Sequence, residues 1–306
     1  MTRPISIIGA PTDVGAGDIG ARMGPAALRV AGIVEAALAT DGGARDVGDV
    51  SGPDHPRAMP EGGYRHLPLV TKWAGAAAEA VGRELAAGRL PMLLGGDHSL
   101  AIGSISAVAK HCRGSGRKLR VLWLDAHADF NTSAITPSGN LHGMPVACLC
   151  GYGPAELTML SGAVPAVTPE QVRLIGMRSV DAGEKRFLDE ARVQVFDMRC
   201  VDEIGMRQTM EQALAGIDRD THLHVSLDAD FLDPDIAPGV TTPARGGPTY
   251  RESHLCMEMI ADTGLLGSLD IAELNPARDT RNQTAELIVD LVESLFGKST
   301  LIRPHG

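Results

Sequence analysis

Val-Leu-Trp-Leu-Asp-Ala-His-Ala-Asp, residues 121–129, is an apolar run that ends in two acids and an imidazole set on alternate positions. In an extended segment residues two apart point the same way, so Asp125, His127 and Asp129 can converge on one spot. Asp228 and Asp230 repeat the pattern after the run 222–227, and a third run, Leu90–Leu94, leads into Gly95-Gly96-Asp97-His98-Ser99. Three strand ends thus supply six candidate metal ligands: His98, Asp125, His127, Asp129, Asp228 and Asp230. Crowded carboxylates repel unless cations hold them, and two divalent ions would balance the charge. Imidazole and carboxylate donors without thiolate suit Mn²⁺, or another divalent ion such as Co²⁺, better than a structural zinc. Helix capping could account for Asp97 or Asp233 alone, but not for two alternating clusters and His98.

Around these motifs short apolar runs alternate with helical patterns, the signature of a parallel sheet covered on both faces. Strands are expected at 5–9, 43–47, 91–94, 121–124, 172–175, 193–196, 222–227 and 268–271, and helices at 25–39, 67–87, 102–111, 183–191, 207–215, 250–262 and 282–296. The fold class is therefore α/β: three layers, α/β/α, with a mostly parallel eight-stranded sheet. Ligands of such sheets bind outside the carboxyl ends of the strands, where the three motifs fall. No linker or charge block divides the 306 residues, 44% of them hydrophobic, so residues 1–306 read as a single domain. Gly42–Gly63, with scattered Gly, Pro, Asp and His, reads as a long surface loop.

A formal charge of −10 and a pI near 5.4 argue against nucleic-acid binding and favour a small cationic substrate. Five cysteines without C-x2-C spacing read as reduced and mostly buried. The N-terminal apolar run is too short for a signal sequence and no stretch approaches 18 apolar residues, so a cytoplasmic protein without membrane contact is expected.

Taken together, GGDHS (95–99), DAHADFNT (125–132), SGNLHGMP (138–145), SLDADFLDP (226–234) and DIAELNP (270–276), with IIGAP (7–11), MGPAALR (23–29) and GGPTYRE (246–252), resemble the arginase branch of the ureohydrolase family. The resemblance runs through nearly the whole chain, and the block Asn131–Gly143 sets it apart from the agmatinase branch. It implies two Mn²⁺ per subunit and cleavage of L-arginine to L-ornithine and urea by a metal-bridging hydroxide. In that reading Asp129 handles the nucleophile's proton, His142 is an acid/base or proton shuttle, and Glu273 holds the guanidinium. Asn131, Ser138 and Asn140, with Thr136, would receive the α-carboxylate, and Asp181 and Glu184 the α-ammonium. Asp270 would orient a ligand histidine. Ser179 stands where some arginases have aspartate, which bears on affinity more than on reaction type. The family assembles as trimers or hexamers, Arg251-Glu252 matches a charged pair it uses near subunit contacts, and the chain stops at Gly306 without the longer tail of some relatives. The rival expectations are a sibling hydrolase of agmatine, guanidinobutyrate or N-hydroxyarginine, and a non-catalytic arginine-binding homologue.

Overall fold

The structure is a computed structural model that describes residues 3–54, 56, 63–299 and 301. Eight strands form one sheet: β1 (Ile5–Gly9), β2 (Ala44–Asp49), β3 (Leu90–Leu94), β4 (Lys118–Leu124), β5 (Val172–Met177), β6 (Gln194–Asp197), β7 (Thr221–Asp228) and β8 (Leu266–Ala272). Their order is β2-β1-β3-β8-β7-β4-β5-β6, and every neighbouring pair is parallel. The helices are α1 (Gly24–Val30), α2 (Ile33–Leu38), α3 (Leu67–Ala86), α4 (Ala101–Ser115), α5 (Pro145–Leu149), α6 (Ala155–Thr158), α7 (Ala182–Ala191), α8 (Met198–Ala213), α9 (Tyr250–Asp262) and α10 (Gln283–Leu295).

Strand alternation builds two cores, one on each side of the sheet. Ile5, Ile7, Met92, Leu122 and Leu124 pack with Leu28, Ile33, Met210, Cys256 and Ile288 of α1, α2, α8, α9 and α10. Ile8, Leu93, Val121 and Trp123 face the other way, onto Val70, Ile102, Val146 and Leu188 of α3, α4, α5 and α7. The three-layer α/β/α arrangement expected from the alternating pattern is thereby met. The site follows from strand order, because β3, β8, β7 and β4 are consecutive in the sheet. Residues just past their carboxyl ends, His98, Glu273, Asp228–Asp230 and Asp125–Asp129, must lie side by side.

Several boundaries depart from the sequence pattern. The expected helix 25–39 is two helices, broken where Gly32 takes a left-handed φ of 97°; its apolar periodicity runs through the break and hides it. The helix expected from 207 begins at Met198, with Gly205 kinking it at φ 79°. Asn282 is the cap of α10 rather than its first residue. The expected loop 42–63 contains edge strand β2, exposed along much of its length, while residues 55 and 57–62 of that loop lie outside the described residues.

One close approach fixes α4 on α3. A Cβ built on Gly103 would lie 1.9 Å from the Ala74 carbonyl oxygen, so no side chain fits between the helices. Because the obstacle is backbone, Gly103→Ala should lower stability by about 3 kcal/mol, seen as a fall of several degrees in melting temperature. An unchanged melting temperature would refute this contact.

Candidate metal and substrate site

Six side chains from three strand ends converge on one spot. His98 starts a short 3-10 turn after β3, capped by Asp97, whose carboxylate accepts from the Ser99 and Gly15 amides. The His98 Nδ1 lies 3.0 Å from Asp228 Oδ2, 3.2 Å from Asp125 Oδ2 and 3.4 Å from Asp129 Oδ2, yet makes no hydrogen bond. Donor atoms that crowd one point without bonding each other are arranged as ligands are. His127 Nδ1 lies 3.2 Å from Asp230 Oδ2 and 3.5 Å from Asp125 Oδ1. Two groups result, His98-Asp125-Asp228 and Asp125-His127-Asp230, each with ligand atoms within 4.8 Å of one another. Asp125 belongs to both, one oxygen toward each imidazole.

The electrostatics carry the same message. Asp129 and Asp228 are buried, and that burial together with the neighbouring carboxylates pushes both well above the usual carboxylate range. Burial opposes charge on the His98 ring, but Asp125, Asp129 and Glu273 outweigh it and raise the ring to about 9. Burial likewise opposes the charged form of His127, which Asp230 and Asp125 nevertheless hold well above its ordinary value. So many buried acids held by so few imidazoles fit a divalent cation in each group.

Second contacts hold the ligands, and sequence reasoning overlooked them. Trp123 stacks on His98 with ring centroids 4.0 Å apart and donates its Nε1–H to Asp125 Oδ2 at 2.9 Å. Ser226 Oγ meets His98 Nε2 at 2.9 Å, and Thr242 Oγ1 donates to Asp230 Oδ2 at 2.9 Å. Trp123 and Ser226 each precede a ligand aspartate by two positions, so the same alternation could have found them. Asp270 is a correction: its partners are His224 at 3.3 Å and the Ser104 hydroxyl at 2.6 Å, not a ligand histidine. His224 lies on the Asp228 face of β7, too far down the strand to reach the cluster.

Arg178 also went unnoticed, because its partners are backbone carbonyls distant in sequence. It donates to the oxygens of Gly176, Asp230, Phe231, Leu232 and Ala244 at 2.7–3.2 Å, clamping the turn that carries Asp230. Arg178→Met should orphan these carbonyls and lower stability by at least about 3 kcal/mol, while weakening metal binding at the His127-Asp230 group first. Metal titrations of the variant check this; two equally weakened ions, or none, would contradict it.

Glu273 follows β8 with an unusual φ of 62°, and Asp129 has φ 50°; such backbone strain gathers at functional sites. Its Oε1 accepts from the His98 amide at 2.8 Å and meets His142 Nδ1 at 2.9 Å, while its Oε2 is buried without a partner. Burial disfavours the charged His142 ring, but Glu273 outweighs it and raises His142 above its ordinary value.

The other expected substrate residues line the adjoining loop. Asn131 donates from Nδ2 to Asp181 Oδ2 at 3.1 Å, and its Oδ1 is buried without a partner, as is that of Asn140. Thr136 Oγ1 accepts from the Ser138 and Gly139 amides and Ser138 Oγ from the Asn140 amide, so these hydroxyls shape the loop. Asp181 caps α7 with an exposed side chain. Glu184 is buried, and its two oxygens accept from the Phe130 and Asp181 amides. Ser179 is exposed beside them. Glu252 accepts from the backbone amide of Thr249 at the start of α9.

A family model for the arginase family matches residues 3–297. The chain is 44% identical over 302 residues to the arginase of Bacillus caldovelox, covering 98% of this chain and 100% of that protein. It is 40% identical over 301 residues to the arginase of Bacillus subtilis, with 98% and 100% covered. Among solved structures, the Bacillus caldovelox arginase matches with a TM-score of 0.92 at 44% identity, over 98% of this chain and 100% of that one. An Entamoeba histolytica arginase in complex with L-ornithine matches with a TM-score of 0.88 at 28% identity, over 97% and 99%.

Proposed function

The chain belongs to the arginase family of hydrolases, and on that premise we propose that it hydrolyses L-arginine to L-ornithine and urea with two manganese ions. The observation that carries the reading is the His98 nitrogen facing three aspartate oxygens without bonding to any of them. One ion would be held by His98, Asp125, Asp228 and Asp129, the other by His127, Asp125 and Asp230. Bound there, the pair would supply a water acidic enough to attack near neutral pH and would offset the negative charge of the cluster.

The side chains divide the remaining work. The unpartnered Glu273 Oε2 offers a buried acceptor to a planar guanidinium, whose N–H groups match a carboxylate. Glu273 also favours the protonated form of His142, which suits the ring to give a proton to the departing amine. Asp129 accepts a hydrogen bond from the attacking water and steers its proton. At the far end Asp181 meets the α-ammonium, supported by Glu184, while Asn131, Ser138 and Asn140 present hydrogen-bonding groups to the α-carboxylate.

Metal analysis after loading should find two manganese ions per chain, with L-arginine giving ornithine and urea in equal amounts and a chelated sample giving neither. Because the acids hold His98 at about 9, an entering cation displaces a proton. Metal affinity should therefore rise with pH up to that value and fall below it by up to about tenfold per unit for each proton displaced. Calorimetric titration in two buffers of different ionisation enthalpy reads that proton; buffer-independent heats would contradict it.

A further inference from the structure

One cation beside the site has no assigned work. Arg65 stands just before α3, and its backbone N–H donates to the Gly139 oxygen at 2.8 Å, tying it to the loop that carries Ser138 and Asn140. A Cβ built on Gly17 would lie 2.8 Å from Asn140 Nδ2 and 3.9 Å from Arg65 Nη1, so amide and guanidinium flank the same glycine. Two residues earlier the Gly15 oxygen accepts from the His142 amide at 3.0 Å, which puts this corner at the wall of the site.

The Arg65 side chain here is a donor short of an acceptor. Arg65 is half-buried, and its Nε is buried without an acceptor among the described residues, while Asn140 Oδ1 and Asn131 Oδ1 are buried without donors. No carboxylate of the described residues pairs with this guanidinium, although the chain carries 38 acids against 28 Lys and Arg. A buried donor left unmade costs about 1–3 kcal/mol, and a guanidinium is the natural partner of a planar carboxylate.

We propose that Arg65 is a specificity-determining residue that anchors the α-carboxylate of the substrate from beside Asn140, adding a charged contact to an otherwise uncharged loop. The inference rests on the arginine reading above. Substrates without the carboxylate leave Arg65 unsatisfied and are discriminated against.

Steady-state kinetics of manganese-loaded Arg65→Gln and Arg65→Lys test it, with L-arginine as substrate and L-argininamide, uncharged at its acid end, as competitive inhibitor. For Arg65→Gln the KM for L-arginine should rise about tenfold, with kcat and the inhibition constant of argininamide moving less than about twofold. Arg65→Lys should fall between. An unchanged KM, or argininamide weakened in step with L-arginine, would overturn the proposal, the second outcome marking Arg65 as a mere support of the loop. Failure of the native protein to release urea from L-arginine would sink the parent reading and this inference with it, whereas an active native protein indifferent to Arg65→Gln would sink this one alone.

Discussion

Asp125→Asn should lose both metal ions and, with them, turnover by about three orders of magnitude or more. Asp125 alone belongs to both ligand groups, its oxygens facing His98 and His127 separately. Removing its charge weakens each site, and bringing the remaining acids together no longer has a shared anion to hold two cations. The packing loss is modest by comparison, since asparagine keeps the shape and an acceptor for one of the two N–H groups, Trp123 Nε1 and the His127 amide, that the two Asp125 oxygens now serve. Metal analysis should find fewer than one ion per chain, and the melting temperature of the chelated sample separates lost metal from lost fold. Two ions retained by the variant would overturn the shared-ligand assignment.

Glu273→Gln should do the opposite: keep both ions and lose the reaction. Removing one partner of a buried charged contact costs about 2–5 kcal/mol, so kcat/KM should fall between roughly thirtyfold and several thousandfold. The amide can still accept from the His98 backbone N–H, now held at 2.8 Å, which is why the ligand should stay in place. A second signature follows from His142, which Glu273 raises after burial lowers it. Without the carboxylate the ring gives up its proton at a lower pH, so the rate that depends on protonated His142 should decline earlier as pH rises. Loss of metal instead of rate would show that Glu273 serves the ligands and not the substrate.

Much of this was legible because period two and strand ends are local signals. Residues 5–9 and 250–262 form the strand and helix that the pattern predicts, and Asp125, His127 and Asp129 meet because alternate residues leave β4 together. What escaped was non-local or conformational. The break at Gly32 interrupts an apolar stripe that continues unbroken in the sequence. Arg178 is a hub through carbonyls of residues 230–232 and 244, which carry no side-chain signature. Asp270 meets His224 because the stripe of β7 runs back through Ser226 to His224, a step beyond the ligand motif.

The most direct test of the account is urea release by the manganese-loaded chain from L-arginine, agmatine and 4-guanidinobutyrate in parallel, with a chelated control. Metal-dependent release with strong preference for L-arginine is the predicted result. Preference for either analogue would contradict the reading of the Asn131–Asn140 loop, and no metal-dependent urea from any of the three would contradict the proposed reaction.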